Sequence, residues 1–266
     1  MSCKGILLSF LVCRRYLDSL AAPPKKTNAM DGSSAEAAAH RYQSFFPDVA
    51  GVSSQDLLRD SLSSPSTSTT SLPNWNLHGH NVLLVDVRTD LERDVSMISG
   101  AVSLDEFKAN VLPSLESKLA VGVDDDSALP DMIVTYCTIG YRSGMEARKL
   151  MLEHPNLFVS WNNDDSNTDE DQNGTTMVGN LDGIVVFANA SLDYESRLIP
   201  IIDRKTNEAT NKVHVYGPSW KKYLSHTTFE TIAFSRIEFA SRGLYFVLCF
   251  GRSGLSCNTS FSCCKR

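Results

Sequence analysis

The sequence predicts an α/β domain with a doubly wound parallel sheet, a helical N-terminal lead-in and an irregular C-terminal extension. Two apolar runs carry this expectation: Val82-Leu83-Leu84-Val85, ending in Asp86-Val87-Arg88, and Met132-Ile133-Val134-Thr135-Tyr136, ending at Cys137. Neither run alternates with polar residues, as expected of strands covered on both faces. Helical spacing follows each run, and strands that alternate with helices argue for a parallel sheet joined by right-handed crossovers.

Taken in order, Ser33 to Gln43 favours a helix through its alanine-rich spacing, with Phe45 and Phe46 at its apolar end and Pro47 closing it. Val52 to Leu58 reads as a second short helix with Ser53 as its N-cap. The Ser/Thr/Pro-rich stretch from Ser61 to Pro73 reads as a linker. Phe107 to Leu119 places Val111, Leu115 and Leu119 at helical spacing, interrupted by Pro113, and Asp124-Asp125-Asp126 reads as a solvated turn. A helix is expected from Ser143 to His154. Met177-Val178 and Ile184 to Phe187 read as short strand or core pieces.

These elements divide the chain into a leader and helical lead-in (1–50), the main α/β domain (51–192) with an acidic insertion near 162–176, an extension packing on the domain (193–235) and a tail expected to be disordered (236–266).

Composition narrows the function classes. The chain has 266 residues, 42% hydrophobic and 21% charged, which supplies enough apolar material for a full core. A net charge of -6 and a pI near 5.5 leave no basic footprint for nucleic acid. No run reaches the ~18 apolar residues that a membrane-spanning helix requires. Gly5 to Cys13, behind Lys4 and before Arg14-Arg15, reads either as a targeting element or as a stretch preceding a start at Met30. The compartment is therefore open between cytoplasm and organelle.

Of seven cysteines, only Cys137 lies between a strand pattern and a helix pattern; the rest sit near the two ends without disulfide spacing. An isolated internal thiol points to a reducing compartment and to a nucleophile. The loop Cys137-Thr138-Ile139-Gly140-Tyr141-Arg142 follows the strand end, where open parallel sheets bind ligands. Ser143-Gly144-Met145-Glu146 has the form of a capping box, so Ser143 is expected to open the next helix with its positive end toward the loop. Loop amides, the helix N-terminus and Arg142 would together favour the thiolate form of Cys137. Gly140 permits a positive φ in the loop, and Arg142 offers paired donors to an oxyanion.

These residues resemble the rhodanese family. Cys137-x-x-Gly140-x-Arg142-Ser143 is similar to its active loop, and Leu84-Val85-Asp86-Val87-Arg88 to its opening strand. Ile98-Ser99-Gly100-Ala101 is similar to its Ile-Pro-Gly-Ala turn, with Met97 in place of the usual His, and Asn180-Leu181-Asp182-Gly183 to its Asn-Leu-x-Gly segment. The four motifs keep the family's order over roughly Asp56 to Ala190.

The resemblance implies sulfurtransferase chemistry without a cofactor. Cys137 would take sulfur from a small donor such as thiosulfate, 3-mercaptopyruvate or a cysteine-derived persulfide. It would then pass the sulfur to cyanide, a small thiol or a protein thiol. Thr138, Ile139, Gly140 and Tyr141 would supply backbone donors, and Arg142 would bind the donor's oxyanion. Related phosphatases and arsenate reductases, the alternative enzymes, use a loop one residue longer; a non-enzymatic redox-sensing or binding module is the third class. Asp86 and Arg88 read as a structural ion pair or a hydrogen-bonded strand terminus, rather than as a pair in which Asp86 orients a loop of the site.

Weaker signals complete the reading. Asp169 to Gly174 imitates half of a calcium loop, but Asn180 stands where a bidentate carboxylate is needed. His78-Gly79-His80 offers too few ligands for a metal, and Cys257, Cys263 and Cys264 lack paired spacing. Lys212 to Gly217 alternates like a strand and reads as edge packing, rather than as an element that brings His214 or Trp220 over the site. Phe229 to Phe234 adds a further apolar contact.

Overall fold

The computed structural model describes residues 34–62, 75–121, 129–161, 176–194, 200–225 and 228–233. Expectations for the leader, for 63–74, for Asp124 to Asp126, for the acidic insertion and for the tail lie outside these residues, as do the six cysteines other than Cys137.

The sheet is built from β1 (Ala50–Val52), β2 (Asn76–Leu77), β3 (His80–Asp86), β5 (Val102–Ser103), β6 (Met132–Tyr136), β7 (Phe158–Ser160) and β8 (Thr176–Leu181); β4 (Met97–Ile98) lies outside it. Its main order is β1-β8-β6-β3-β2, parallel throughout except for the short β2–β3 hairpin. β7 and β1 share one edge of β8, along successive halves of that strand. The Ser160 hydroxyl accepts from Ala50 N–H at 3.1 Å and bridges the junction.

Alternation is present in three dimensions although it is invisible in the residue types. Val82, Leu84, Met132, Val134 and Tyr136 point into one apolar layer, and Val85, Ile133 and Val178 into the other. The first layer is closed by α1 (Ala35–Gln43), α2 (Ser54–Leu62) and α7 (Ile184–Ser191). The second is closed by α5 (Leu112–Val121) and α6 (Tyr141–Glu153). Successive side chains of a strand leave on opposite faces, so a doubly covered strand must be apolar at every position.

Local signals explain most boundaries. Ser34 caps α1 by accepting from Ala37 N–H at 3.1 Å, and Ser53 accepts from Asp56 N–H at 3.4 Å at the start of α2. Val52 belongs to β1 rather than to the helix, and its carbonyl accepts from Asp182 N–H at 3.2 Å. The expected helix around Pro113 begins earlier, as α4 (Leu104–Glu106), and widens into a π turn (Phe107–Val111) before α5. Proline has no N–H to donate and crowds the carbonyl four residues back, which a wide turn relieves.

Ile184 to Phe187 is helical, not a strand. A short apolar run does not by itself distinguish the two. α7 buries residues around its whole circumference, from Ile184 through Ala188.

The C-terminal extension, expected to be irregular, contains two ladders. β9 (Ile201–Ile202) pairs antiparallel with β4, and β10 (Lys212–Val215) pairs parallel with β11 (Glu230–Ala233). A 3-10 turn (Pro218–Tyr223) lies between the last two strands. Val213, Val215, Trp220, Tyr223 and Leu224 join the apolar layer of α1, α2 and α7, so the extension is part of the core. No helix among the described residues is long and apolar enough to cross a membrane.

Leu84 on β3 has no exposed surface. Leu84→Ala is expected to lower stability by ~2–5 kcal/mol through lost transfer energy and a residual cavity, read as a shift in the urea midpoint.

Candidate active site

Cys137 leaves the sheet at the carboxyl end of β6 and is 1% exposed. Its loop is seated on α7. The Cys137 carbonyl accepts from Ile184 N–H at 2.9 Å and the Thr138 carbonyl from Val185 N–H at 3.3 Å. First-turn amides of a helix have no partner within it, so these carbonyls cap α7. Gly140 N–H turns the other way and donates to Cys137 Sγ at 3.2 Å.

Two glycines permit this seating. Gly140 has φ +92° and forms the N-cap of α6. Gly183 has φ +103°, and a Cβ there would lie 2.6 Å from the Thr138 carbonyl oxygen and from Ile139 N and Cα. No side chain fits between the loop and Gly183. Asn180 adds a clamp: its Nδ2 donates to the Gly140 carbonyl at 2.9 Å and to Gln43 Oε1 on α1 at 2.7 Å.

The helix begins at Tyr141, which corrects the expectation that Ser143 opens it. The left-handed turn at Gly140 starts the helix two residues sooner, so the Ser143–Glu146 capping box does not form. Ser143 is buried in the first turn, where its carbonyl accepts from Thr135 Oγ1 at 3.0 Å, while Glu146 pairs with Lys108 at 3.4 Å. The earlier start brings the positive end of α6 closer to Cys137.

Arg142 has a partner that the sequence reading missed. Its two terminal nitrogens donate to Glu92 at 2.9 and 2.6 Å, and Nη2 also reaches Thr138 Oγ1 at 3.3 Å. The expected oxyanion donor is therefore engaged in a bidentate ion pair. Glu92, on the short helix α3 (Asp90–Arg93), has no exposed side-chain surface. Burial alone would raise its pKa, but the charge and hydrogen bonds of Arg142, the charge of Arg88 and the Thr89 N–H outweigh this. They hold its carboxyl well below the usual range. Burial likewise opposes the charge on Arg142, and Glu92 overcomes it, leaving the guanidinium pKa raised.

Asp86 and Arg88 form the buried structural pair the sequence suggested. Arg88 Nη2 lies 2.7 Å from Asp86 Oδ2 and donates also to the Ser96 carbonyl at 2.7 Å. Tyr136 OH donates to the same carboxylate at 2.7 Å and accepts from Ile98 N–H at 3.1 Å. Burial, then the charge of Asp86, raise the Tyr136 phenol well above its ordinary pKa. This network ties the ends of β3 and β6 to β4.

The extension reaches the site. His214 Nδ1 lies 3.9 Å from Glu92 Oε1, and the Tyr216 ring covers the Arg142 guanidinium at 4.8 Å. Edge packing alone therefore does not describe this strand. Trp220 instead packs on Tyr42 at 5.8 Å and on Tyr223 at 5.3 Å, and Tyr42 meets the Tyr141 ring at 5.7 Å. Burial raises the Tyr42 phenol pKa, and the charge of Arg41 only partly offsets it. Tyr141, Tyr42, Trp220 and Tyr223 thus form a continuous chain of ring contacts.

Glu92 had a legible signal: Thr89-Asp90-Leu91-Glu92 is a capping pattern, and Glu92 Oε2 accepts from Thr89 N–H at 3.0 Å. Tyr216 had none, and His214 was legible only as the less favoured reading of an alternating strand, because the placement of both depends on long-range packing. His78, weighed as a metal ligand, stacks on Trp161 with centroids 5.6 Å apart. Among the described residues no group of three or more His, Cys, Asp or Glu side chains is arranged to hold a metal.

Residues 74–183 match the family model of the rhodanese-like domain, which spans β2 to the start of α7 and includes Cys137, Arg142 and Glu92. No curated protein matches the chain. A solved structure from Rhodopseudomonas palustris CGA009, titled a protein of unknown function and possible tyrosine phosphatase, is 17% identical, with a TM-score of 0.27, covering 63% of this chain and 96% of its own.

Two substitutions test the electrostatics around the loop. Glu92→Gln leaves the Arg142 charge without its counter-ion and is expected to lower stability by roughly 3 kcal/mol, measured by urea denaturation at neutral pH.

Asp182 concerns the other side of the loop. Its carboxylate accepts from Ser54 N–H at 3.0 Å and from the Ser54 hydroxyl, while burial, partly offset by these bonds, pushes its pKa up to about 7. A raised folded pKa means stability is fully present below about pH 4 and is lost as pH rises through about 7. Asp182→Asn removes that loss. Its stability relative to wild type should improve between pH 4 and pH 8 by on the order of 3 kcal/mol, whereas an unshifted carboxyl would give a flat difference.

Proposed function

Because residues 74–183 form a rhodanese-like domain, we propose that the protein is a sulfurtransferase that carries sulfane sulfur on Cys137. The observation carrying this reading is the seating of Cys137 Sγ, which accepts the Gly140 N–H at 3.2 Å beside the N-terminus of α6.

The Cys137 thiolate attacks the sulfane sulfur of a donor such as thiosulfate. A Cys137–sulfur bond forms as the donor's sulfur–sulfur bond breaks, and sulfite leaves with the electron pair. The terminal sulfur of the persulfide then bears the negative charge, stabilised by the loop amide and the helix end. In the second half-reaction cyanide, a small thiol or a protein thiol attacks that terminal sulfur and the Cys137 thiolate departs. Two half-reactions sharing one covalent intermediate give ping-pong kinetics.

The engagement of Arg142 favours this chemistry over ester hydrolysis. A phosphate or arsenate would call for a guanidinium open to a tetrahedral oxyanion, whereas both of its arms rest on Glu92. Sulfur transfer needs no such grip on the transferred atom. The 1% exposure of Cys137 means that a donor reaches the sulfur only as the surrounding side chains move aside.

Intact mass measurement after incubation with thiosulfate, 3-mercaptopyruvate and a cysteine persulfide is expected to show the gain of one sulfur atom. Cyanide should remove it, and Cys137→Ser should never acquire it. Hydrolysis of a phosphate ester dependent on Cys137, with no sulfur gained from any donor, would overturn the proposal.

A further inference from the structure

We propose that Tyr216 and His214 of the C-terminal extension are positioning residues that hold the Arg142–Glu92 pair against the Cys137 loop, making this segment a working part of the active site. The inference deepens the sulfurtransferase reading and rests on it for the meaning of turnover. The matched domain ends at 183, so both residues belong to chain beyond it.

The geometry is specific to the pair. β10 (Lys212–Val215) carries His214, and Tyr216 follows in the bend directly after the strand, so the two residues reach the pair from adjoining positions. His214, 2% exposed, puts Nδ1 3.9 Å from Glu92 Oε1. Tyr216 sets its ring 4.8 Å from the Arg142 guanidinium carbon. Glu92 anchors Arg142 from one side and the ring covers it from another, with Thr138 Oγ1 at 3.3 Å as a third contact within the loop. Arg142 lies in the first turn of α6, directly after the Gly140–Tyr141 junction, so fixing its side chain fixes the turn that presents Gly140 N–H to Sγ.

β10 is itself anchored at both ends. Glu230 N–H donates to the Asn211 carbonyl at 2.8 Å before the strand. After the 3-10 turn, Asn189 of α7 donates to the Tyr223 carbonyl at 2.7 Å and accepts from Ser225 N–H at 3.0 Å. The extension therefore presents Tyr216 from the bend between β10 and the 3-10 turn, both of them anchored, and α7 holds both the extension and the Cys137 loop.

A guanidinium over an aromatic face is attracted by the ring quadrupole, which an aliphatic side chain of similar bulk lacks. This separates positioning from simple packing. Tyr216→Phe should rescue, with kcat for sulfur transfer within about twofold of wild type. Tyr216→Leu and Tyr216→Met should lower kcat by about fivefold or more at unchanged melting temperature, with little change in KM. His214→Ala should lower kcat in the same direction.

Iodoacetamide alkylation of Cys137, followed by mass, gives a readout that does not depend on sulfur chemistry. Phe should react like wild type, and Leu and Met should differ from it together. Equal rates for the Phe, Leu and Met variants in both assays would overturn the proposal. Absence of sulfur gain by wild type with every donor would instead sink the sulfurtransferase reading, leaving alkylation to judge the positioning role.

Discussion

The Glu92–Arg142 ion pair is the interaction on which the site's geometry depends. A carboxylate without solvent exposure is tolerable only where opposite charge and hydrogen bonds replace its lost hydration. Glu92 receives two bonds from Arg142 and two from Thr89, at distances from 2.6 to 3.0 Å. The partners come from distant parts of the chain. Satisfying one buried charge therefore joins the loop after β3, the first turn of α6 and, through Tyr216 and His214, the extension. Loss of the carboxylate would release all three.

The second constraint is steric. α7 offers its first-turn amides to the carbonyls of Cys137 and Thr138, and Gly183 lets the loop approach to a distance that a Cβ would forbid. Orienting those carbonyls toward α7 leaves the Gly140 amide free to face the sulfur. Asn180 closes the arrangement by bonding to the Gly140 carbonyl and to Gln43 at once. The lead-in helix thus contributes to the same seat, although it lies far from the loop in sequence.

Much of this is legible in the sequence. The apolar runs at Val82 and Met132 identified the central strands because burial on both faces suppresses polar residues. Asp86 and Arg88 were correctly paired, since two opposite charges at a strand end seldom remain buried apart. The helix start was misplaced because Ser143–Glu146 imitates a capping box. The capping rule describes a local preference, and the positive φ of Gly140 imposed an earlier start. Glu92 was written in the Thr89–Glu92 pattern, but its role as the partner of Arg142 joins residues 50 positions apart, which no local rule reaches. Tyr216 and His214 fall in the same class. An alternating strand reveals that it packs, not what it packs against.

Pairing Arg142 with Glu92 also changes how the site stabilises charge. With the guanidinium compensated, the positive field at Sγ comes mainly from dipoles: the Gly140 amide and the end of α6. Fixed dipoles in a dry site stabilise a negative charge without reorganising, and their strength grows as water is excluded. Cys137 is itself 1% exposed, so water has little access to its sulfur. Under the proposed function, such a field suits a large, polarisable sulfur anion better than a doubly charged tetrahedral one. Under the proposed function, the same dryness would also keep a persulfide from side reactions with water between the two half-reactions. The ion pair and the buried Cys137 are then linked through one loop: Glu92, with no exposed surface, neutralises Arg142, whose side chain keeps 22% of its surface exposed.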